Sequence, residues 1–286
     1  MEDLAMYLMD DMQSFKDLSN QRGRNGFSSD SHNMSFIFGR VHSHIEAKII
    51  TNDLSGCFAA FKEFNEVLSD ATFPCLFGRR AWKDKTNKFL FCDRIENGGL
   101  EHFRRGLIEY TEFVANTDIK DRLFSPLVVF VEGLLDTSEA HHLVAWKLLQ
   151  YLIDTDQKSW PDNVPLDQDN PLWSFCFNDM QLFFNISTPA HKVLRSRRLS
   201  SCLTFVVNPR ENFDVIANSQ EKSGQLIRQK IRERVSEYNG GFVPSELGFF
   251  GDNDNFEWKQ FQLGEPGLPG PLKCPLHMKN KDKDRY

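Results

Sequence analysis

No Cys-x-x-Cys pair occurs among the six cysteines, Cys57, Cys75, Cys92, Cys176, Cys202 and Cys274. Thiols so scattered argue against a disulfide framework and read as reduced side chains, mostly core filler. No uninterrupted apolar stretch approaches the roughly 18 residues of a membrane-spanning helix. The opening residues, MEDLAMYLMDDM, carry acids where a secretory leader would carry Lys or Arg. Both absences point to the cytoplasm. Positive charge is not in excess either: 34 Lys and Arg stand against 40 Asp and Glu, a net charge of -6, which argues against a general grip on nucleic acid or a membrane surface. The patterns G-x-x-x-x-G-K-[ST], G-x-G-x-x-G, G-x-S-x-G and H-E-x-x-H are missing, so nucleotide-dependent transfer and ordinary hydrolysis lack their usual residues.

What is present belongs to a folded core. The 286 residues are 40% hydrophobic and include 26 phenylalanines, enough for one elaborated domain around a large pocket. Residues 1–35, with the stretch QRGRNGFSSDSHN, read as a mobile extension. Residues 36–278 read as the folded domain, and 279–286 as a charged tail. Phe58, Phe61, Phe64 and Leu68 recur at helical spacing, as do Leu143, Trp146, Leu149 and Ile153. EHFRRGLIEYTEFV and the basic SGQLIRQKIRERVSEY are further amphipathic helices. KFLFCD, PLVVFVEG, WSFCF, QLFFNI and CLTFVV are short aromatic and β-branched runs bounded by turn residues, hence strands. PLVVFVEG is apolar enough to be central, and Asn-Asp-Met joins two strands as a hairpin. Strands that neighbour one another in sequence favour an α+β fold with a mixed or antiparallel central sheet flanked by helices over a doubly wound one.

Chemistry concentrates in NISTPAHKVLRSRR, residues 185–198. Pro189 breaks the chain before His191, and Arg195 and Arg198 would share a helical face if the following residues coil. Guanidinium forks suit carboxylates and phosphates, and a neutral imidazole suits iron or zinc. With Lys192 and Arg197, this local cluster is suited to a small anionic partner, and a haem with two propionates would use both kinds of group. The alternative is a solvated arginine face with His191 capping a turn. His42-x-His44 and Cys274-x-x-His277 each supply half of a zinc site and lack the other half. DNDNFE lacks the length and central glycine of a calcium loop.

FPCLFGRRAW, LLQYLIDTDQKSWP, WSFCFNDMQLFFNISTPAHKVLRSRR, FVVNPRENFD, IRQKIRERVSEY, EWKQFQL and KCPLH, in this order from Phe73 to His277, resemble the YqcI/YcgG family. Characterised members are haem-dependent N-oxygenases that hydroxylate guanidino nitrogens of arginine-like substrates in bacterial natural-product pathways; many other members have no assigned activity. The resemblance implies haem b, dioxygen or peroxide as oxidant, an electron donor and a small cationic substrate such as arginine. It nominates His191 as axial iron ligand, with the thiolates of Cys75 and Cys274 as rivals, and Arg195, Arg197 and Arg198 as propionate partners. Glu257 and Trp258 become candidates for holding a guanidinium. Arg210 would bind a propionate or the substrate carboxylate. A non-catalytic haem sensor or carrier, and a cofactor-free binder of an anionic metabolite, remain as other readings, and a homodimer is left open.

Overall fold

The apolar runs become the strands of one mixed sheet. The computed structural model describes residues 38–39, 55–133, 138–218 and 220–278; the expected extension at 1–35, the His42 and His44 pair, and the tail at 279–286 lie outside these residues. In chain order the elements are β1 (Phe38–Gly39), α1 (Ser55–Ser69), α2 (Leu76–Lys83), β2 (Lys88–Cys92), α3 (Gly99–Ala115), α4 (Ile119–Arg122), β3 (Leu127–Val131) and α5 (Ser138–Thr155). They continue with β4 (Phe175–Phe177), β5 (Met180–Ser187), β6 (Leu203–Pro209), α6 (Glu211–Ile216), α7 (Lys222–Tyr238) and α8 (Glu257–Phe261). The strand order is β1-β2-β3-β6-β5-β4. Only β2 and β3 pair in parallel; every other neighbour is antiparallel. The result is the α+β architecture expected from the sequence.

Side chains alternate across this sheet and supply two cores. On one face Leu127, Val129, Phe205 and Phe184 pack with Phe103 of α3 and Leu149 of α5. On the other, Val128, Phe130, Phe89 and Phe91 pack with Phe64 and Leu68 of α1. PLVVFVEG forms β3, which is interior and buried at all five positions, as a strand covered on both faces should be. No helix among the described residues is long and apolar enough to cross a membrane.

Two local features fix the geometry. The β4–β5 hairpin closes with Phe177 opposite Met180, and the intervening Asn178 and Asp179 adopt φ of 52° and 64°. That is a two-residue loop with both residues left-handed, for which Asn and Asp are the side-chain-bearing residues of choice. Gly106 lets α3 close on the sheet: a Cβ there would lie 2.3 Å from Leu90 Cδ2. One expectation fails in detail. Leu143, read as part of the buried stripe of α5, is 72% exposed, while Ala145, Leu148 and Leu152 are buried beside Trp146, Leu149 and Ile153. The buried stripe of α5 is wider than the four residues suggested and lies to one side of Leu143.

Candidate functional site

The basic stretch does not coil into an extended helix. After β5 the chain turns at Thr188, and a single 3₁₀ turn, Arg195–Arg197, follows. This turn separates the arginines: Arg197 is buried at 6% exposure, whereas Arg195 and Arg198 are exposed. Arg195 and Arg198 do lie on the same, exposed side of this turn, as residues i and i+3 of a 3₁₀ turn do, and the Arg198 N–H donates to the Arg195 carbonyl; what is absent is the longer helix. Arg195 lies over the Tyr238 ring, 4.8 Å from its centroid. Arg197 turns inward, and its guanidinium donates to the carbonyls of Phe261 at 3.1 Å and Gln260 at 3.0 Å.

Glu265 sets the shape of this loop. Its carboxylate accepts the backbone N–H groups of Lys192, Val193 and Leu194 at 3.0, 2.9 and 2.7 Å. Burial opposes ionisation of Glu265, but these three donors and the neighbouring His191 hold its carboxyl below the ordinary range. His191 Nδ1 is 3.5 Å from Glu265 Oε2, at the outer limit of a hydrogen bond, and neither ring nitrogen has a closer partner among the described residues. The ring is 1% exposed, and burial pushes its pKa down to about 4 despite the carboxylate beside it. His191 is therefore neutral at pH 7. Its ring centroid is 5.8 Å from that of His142 on α5.

A cavity of about 280 Å³ lies over the sheet face covered by α1. Val128, Phe183 and Val206 form its apolar floor, and Phe64, Leu68 and Phe73 form one wall. Cys75 and Gly78 enter from the start of α2; Arg228, Ile231, Arg232 and Val235 enter from α7. Cys75 is the N-cap of α2, and its Sγ accepts the Gly78 N–H at 3.3 Å. Gly78 leaves room at the sulfur, since a Cβ there would stand 3.3 Å from Cys75 Sγ. Burial pushes the Cys75 thiol up, against the Gly78 and Phe77 N–H groups and the Arg197 guanidinium. The same burial brings Arg197 down to about 9, so it stays protonated at pH 7. A thiol at a helix N-terminus beside a buried guanidinium is a side chain whose thiolate form those neighbours favour. Among the described residues, no group of three or more His, Cys, Asp and Glu side chains could hold a bare metal ion.

The structure brings Cys75 and Arg197 together at this cavity, and it places the other nominated residues elsewhere. His191, Arg195, Arg198, Arg210, Glu257, Trp258 and Cys274 are not among its lining residues. Cys274 packs at the edge of the core on the opposite sheet face, and burial pushes its thiol up to about 11. Trp258 is fully buried in that same core. Glu257, 3% exposed, accepts the Ser174 hydroxyl at 2.6 Å and lies 3.5 Å from Arg210 Nε. Arg210 in turn donates twice to Asp214 Oδ1 and lies over the Phe250 ring. No Asp or Glu lines the cavity among the described residues; besides Cys75 and the cations Arg197, Arg228 and Arg232, its polar side chains are Asn87, Asn185, Asn208, Ser196 and Gln260. Asn87 is only 2% exposed, and its Oδ1 has no hydrogen-bond partner among the described residues. A buried acceptor of this kind calls for a donor from water or a ligand.

Arg228, Ile231, Arg232 and Val235 did carry a readable signal. Their i, i+3, i+4, i+7 spacing puts two cations on the inward stripe of α7. The sequence marks this helix as basic and amphipathic, and its packing decides that these two arginines face the cavity.

Glu257 and His191 make opposite contributions to stability as pH changes. Burial, against the Ser174 hydrogen bond and Arg210, raises Glu257 from 4.5 to about 7; His191 falls from 6.5 to about 4. The fold retains the Glu257 proton more tightly than the unfolded chain does, so that contribution is complete below 4.5 and lost as pH rises to 7. The His191 contribution is complete above 6.5 and lost as pH falls to 4. Between 4.5 and 6.5 the two slopes oppose one another. Glu257→Gln should remove one of them, so urea midpoints of the variant should fall more steeply than those of the wild type as that window is descended. Parallel curves would contradict the assignment.

The described residues form an α+β domain with a largely apolar cavity, bordered by a half-buried thiol at a helix N-terminus. The chain belongs to the YqcI/YcgG family, whose model it matches over residues 64–277. It is 36% identical over 236 residues to a candidate N(omega)-hydroxy-L-arginine synthase, DcsA, of Streptomyces lavendulae, covering 81% of this chain and 88% of that protein. It is 32% identical over 231 residues to the uncharacterised protein YcgG of Bacillus subtilis strain 168, covering 77% and 88% of the two chains. For the uncharacterised YqcI of the same strain the identity is 31% over 234 residues, with coverage of 79% and 90%. No solved structure matches the chain.

Proposed function

We propose that the protein is an N-hydroxylase of arginine or a related guanidino compound, and that it works with haem b held in this cavity through Cys75. The observation that carries this reading is the placement of the Cys75 thiol, whose sulfur accepts the Gly78 N–H, at the wall of the largely apolar cavity. The substrate class comes from the name borne by the Streptomyces relative. When bound, thiolate-ligated haem supplies activation of dioxygen or peroxide for insertion of oxygen into an N–H bond.

The chain's own residues then have distinct tasks. Cys75 gives up its proton on ligation, so binding should strengthen as pH rises. Arg197, fixed by two carbonyls, keeps a positive charge near the sulfur. Phe64, Leu68, Phe73 and Val128 exclude water from the reacting centre. Asn87 Oδ1 accepts an N–H of the guanidino group and so orients the nitrogen to be oxidised. That is an acceptor role without a counter-charge, consistent with a lining that holds no Asp or Glu among the described residues. Glu257 has no part in gripping substrate in this scheme.

Purified protein loaded with hemin should convert L-arginine, with a reductant and oxygen or with peroxide, to a hydroxylated product detectable by mass spectrometry. Asn87→Ala should lower turnover at least about tenfold at unchanged haem content, the scale of one hydrogen bond to a charged group. Haem uptake without any product from arginine or guanidino analogues would leave a haem-binding protein and remove the enzymatic reading.

A further inference from the structure

Three guanidinium groups gather where α7 meets the end of β6, and only one of them has a carboxylate partner. Arg210 pairs with Asp214 at 3.0 Å. Arg228 and Arg232, one turn apart on α7, both line the cavity. Arg228 donates from Nε to the Ala217 carbonyl at 2.8 Å, and Arg232 donates to the Leu247 carbonyl at 2.9 Å. Neither makes an ion pair among the described residues. Each guanidinium has five N–H donors, so one hydrogen bond apiece leaves most of this capacity unused by protein.

The placement is electrostatically costly without an anion. Arg228 is held below its ordinary pKa first by burial, then by Arg210 and Arg232, with Asp214 and Asp252 opposing more weakly. Two half-buried cations that line the cavity beside Ile231 and Val235 are not placed there by the needs of an apolar stripe. Phe249 lies over both, with centroids 4.8 Å from Arg228 and 5.1 Å from Arg232. Leu247 and Gly248 of the same segment also line the cavity. One side of the cation pair is therefore covered by an aromatic ring and the other borders the cavity.

We infer that Arg228 and Arg232 form a carboxylate-binding subsite of the cavity, with Phe249 as its aromatic cover. The inference rests on the reading of the cavity as a ligand site. It takes the role of anion anchor away from the exposed Arg195 and Arg198. A paired fork of this kind selects a carboxylate by charge and bidentate geometry. Such a carboxylate can come from the acid arms of a porphyrin or from the α-carboxylate of an amino acid.

The test combines two variants with two pairs of probes. Hemin is compared with its dimethyl ester, in which both acids are masked, by optical titration. L-Arginine is compared with agmatine, the same molecule without the carboxylate, by calorimetry. The variant Arg228→Gln/Arg232→Gln should lose at least about tenfold in affinity for one acid-bearing probe and little for its uncharged counterpart. Arg228→Lys/Arg232→Lys should recover part of that loss, and Lys230→Gln on the exposed face of α7 should lose nothing. Circular dichroism of each variant separates misfolding from lost contact; if the Gln pair misfolds, the Lys pair must still show a selective loss.

Loss confined to hemin assigns the subsite to the cofactor's acids, and loss confined to L-arginine assigns it to the substrate. Equal affinities of wild type and variants for both acid-bearing probes overturn the subsite while leaving the Cys75 reading intact. A wild type that ignores hemin yet prefers L-arginine over agmatine, with the preference lost in the Gln pair, keeps the subsite and removes the haem reading. A wild type that binds neither probe removes both.

Discussion

Cys75→Ala is expected to lose iron-porphyrin binding by more than the roughly 10–100-fold that follows removal of an outer-shell partner, and to reduce N-hydroxylation to background. The reasoning is local. Cys75 is among the cavity-lining residues, and its Sγ sits at the N-terminus of α2 with the Gly78 N–H directed at it. Both this donor and the Arg197 guanidinium favour the thiolate, while burial keeps the unligated side chain a neutral thiol. Ligation must release that proton, so hemin affinity of the wild type should rise with pH and that of Cys75→Ala should not. The fold should survive, because losing an N-cap acceptor costs about 1 kcal/mol. Cys75→Ser restores the cap and should recover stability without recovering the thiolate-type spectrum. His191→Ala is the complementary experiment. With the ring outside the cavity lining and no partner closer than Glu265 for its nitrogens among the described residues, its loss should leave the spectrum unchanged.

Glu265→Ala should be among the most destabilising single changes available in the described residues, at about 3–5 kcal/mol. It strands three consecutive backbone donors, Lys192, Val193 and Leu194, each worth about 1–3 kcal/mol when buried without a partner. For a chain of this size the melting temperature should fall by about 6–15 °C. Glu265→Gln keeps one acceptor oxygen and should lie between the two. The carboxyl of Glu265 titrates below its ordinary value, so its contribution is complete above about 4.3 and disappears as pH falls through the lowered folded value. There is also a functional consequence. The loop held by Glu265 carries Arg197, whose guanidinium is fixed to the carbonyls of Gln260 and Phe261. Hemin affinity of folded Glu265→Gln should therefore drop even though Glu265 does not line the cavity. Unaltered stability and affinity would mean that the loop is held by other contacts.

Much of the fold was legible because its determinants are local. Strands β2, β3, β5 and β6 stand where short aromatic and β-branched runs predicted them, and the left-handed Asn178-Asp179 loop is a backbone signal carried by two residues. The helices α1, α3, α5 and α7 follow apolar periodicity, with Leu143 as the exception. The site was less legible. Charge density drew attention to residues 191–198, yet a single 3₁₀ turn sends Arg197 inward and leaves Arg195 and Arg198 outside. The cavity is assembled from α1, the start of α2, the sheet and α7, and no spacing in the chain reports that convergence. The sequence names Cys75 only as a rival ligand from its family-like segment, because its place at the cavity wall depends on how the start of α2 packs against α1 and α7. Glu257 and Trp258 are an acid and an indole that the family resemblance singles out for a cation; neither lines the cavity, and Glu257 is engaged by Ser174 and Arg210.

Resonance Raman spectroscopy of the hemin-loaded protein, grown with and without sulfur-isotope-labelled cysteine, tests the thiol-in-cavity assignment most directly. An iron–sulfur stretch that shifts with the label in the wild type and vanishes in Cys75→Ser is the expected result. An iron–histidine mode in its place, lost on His191→Ala, would contradict it.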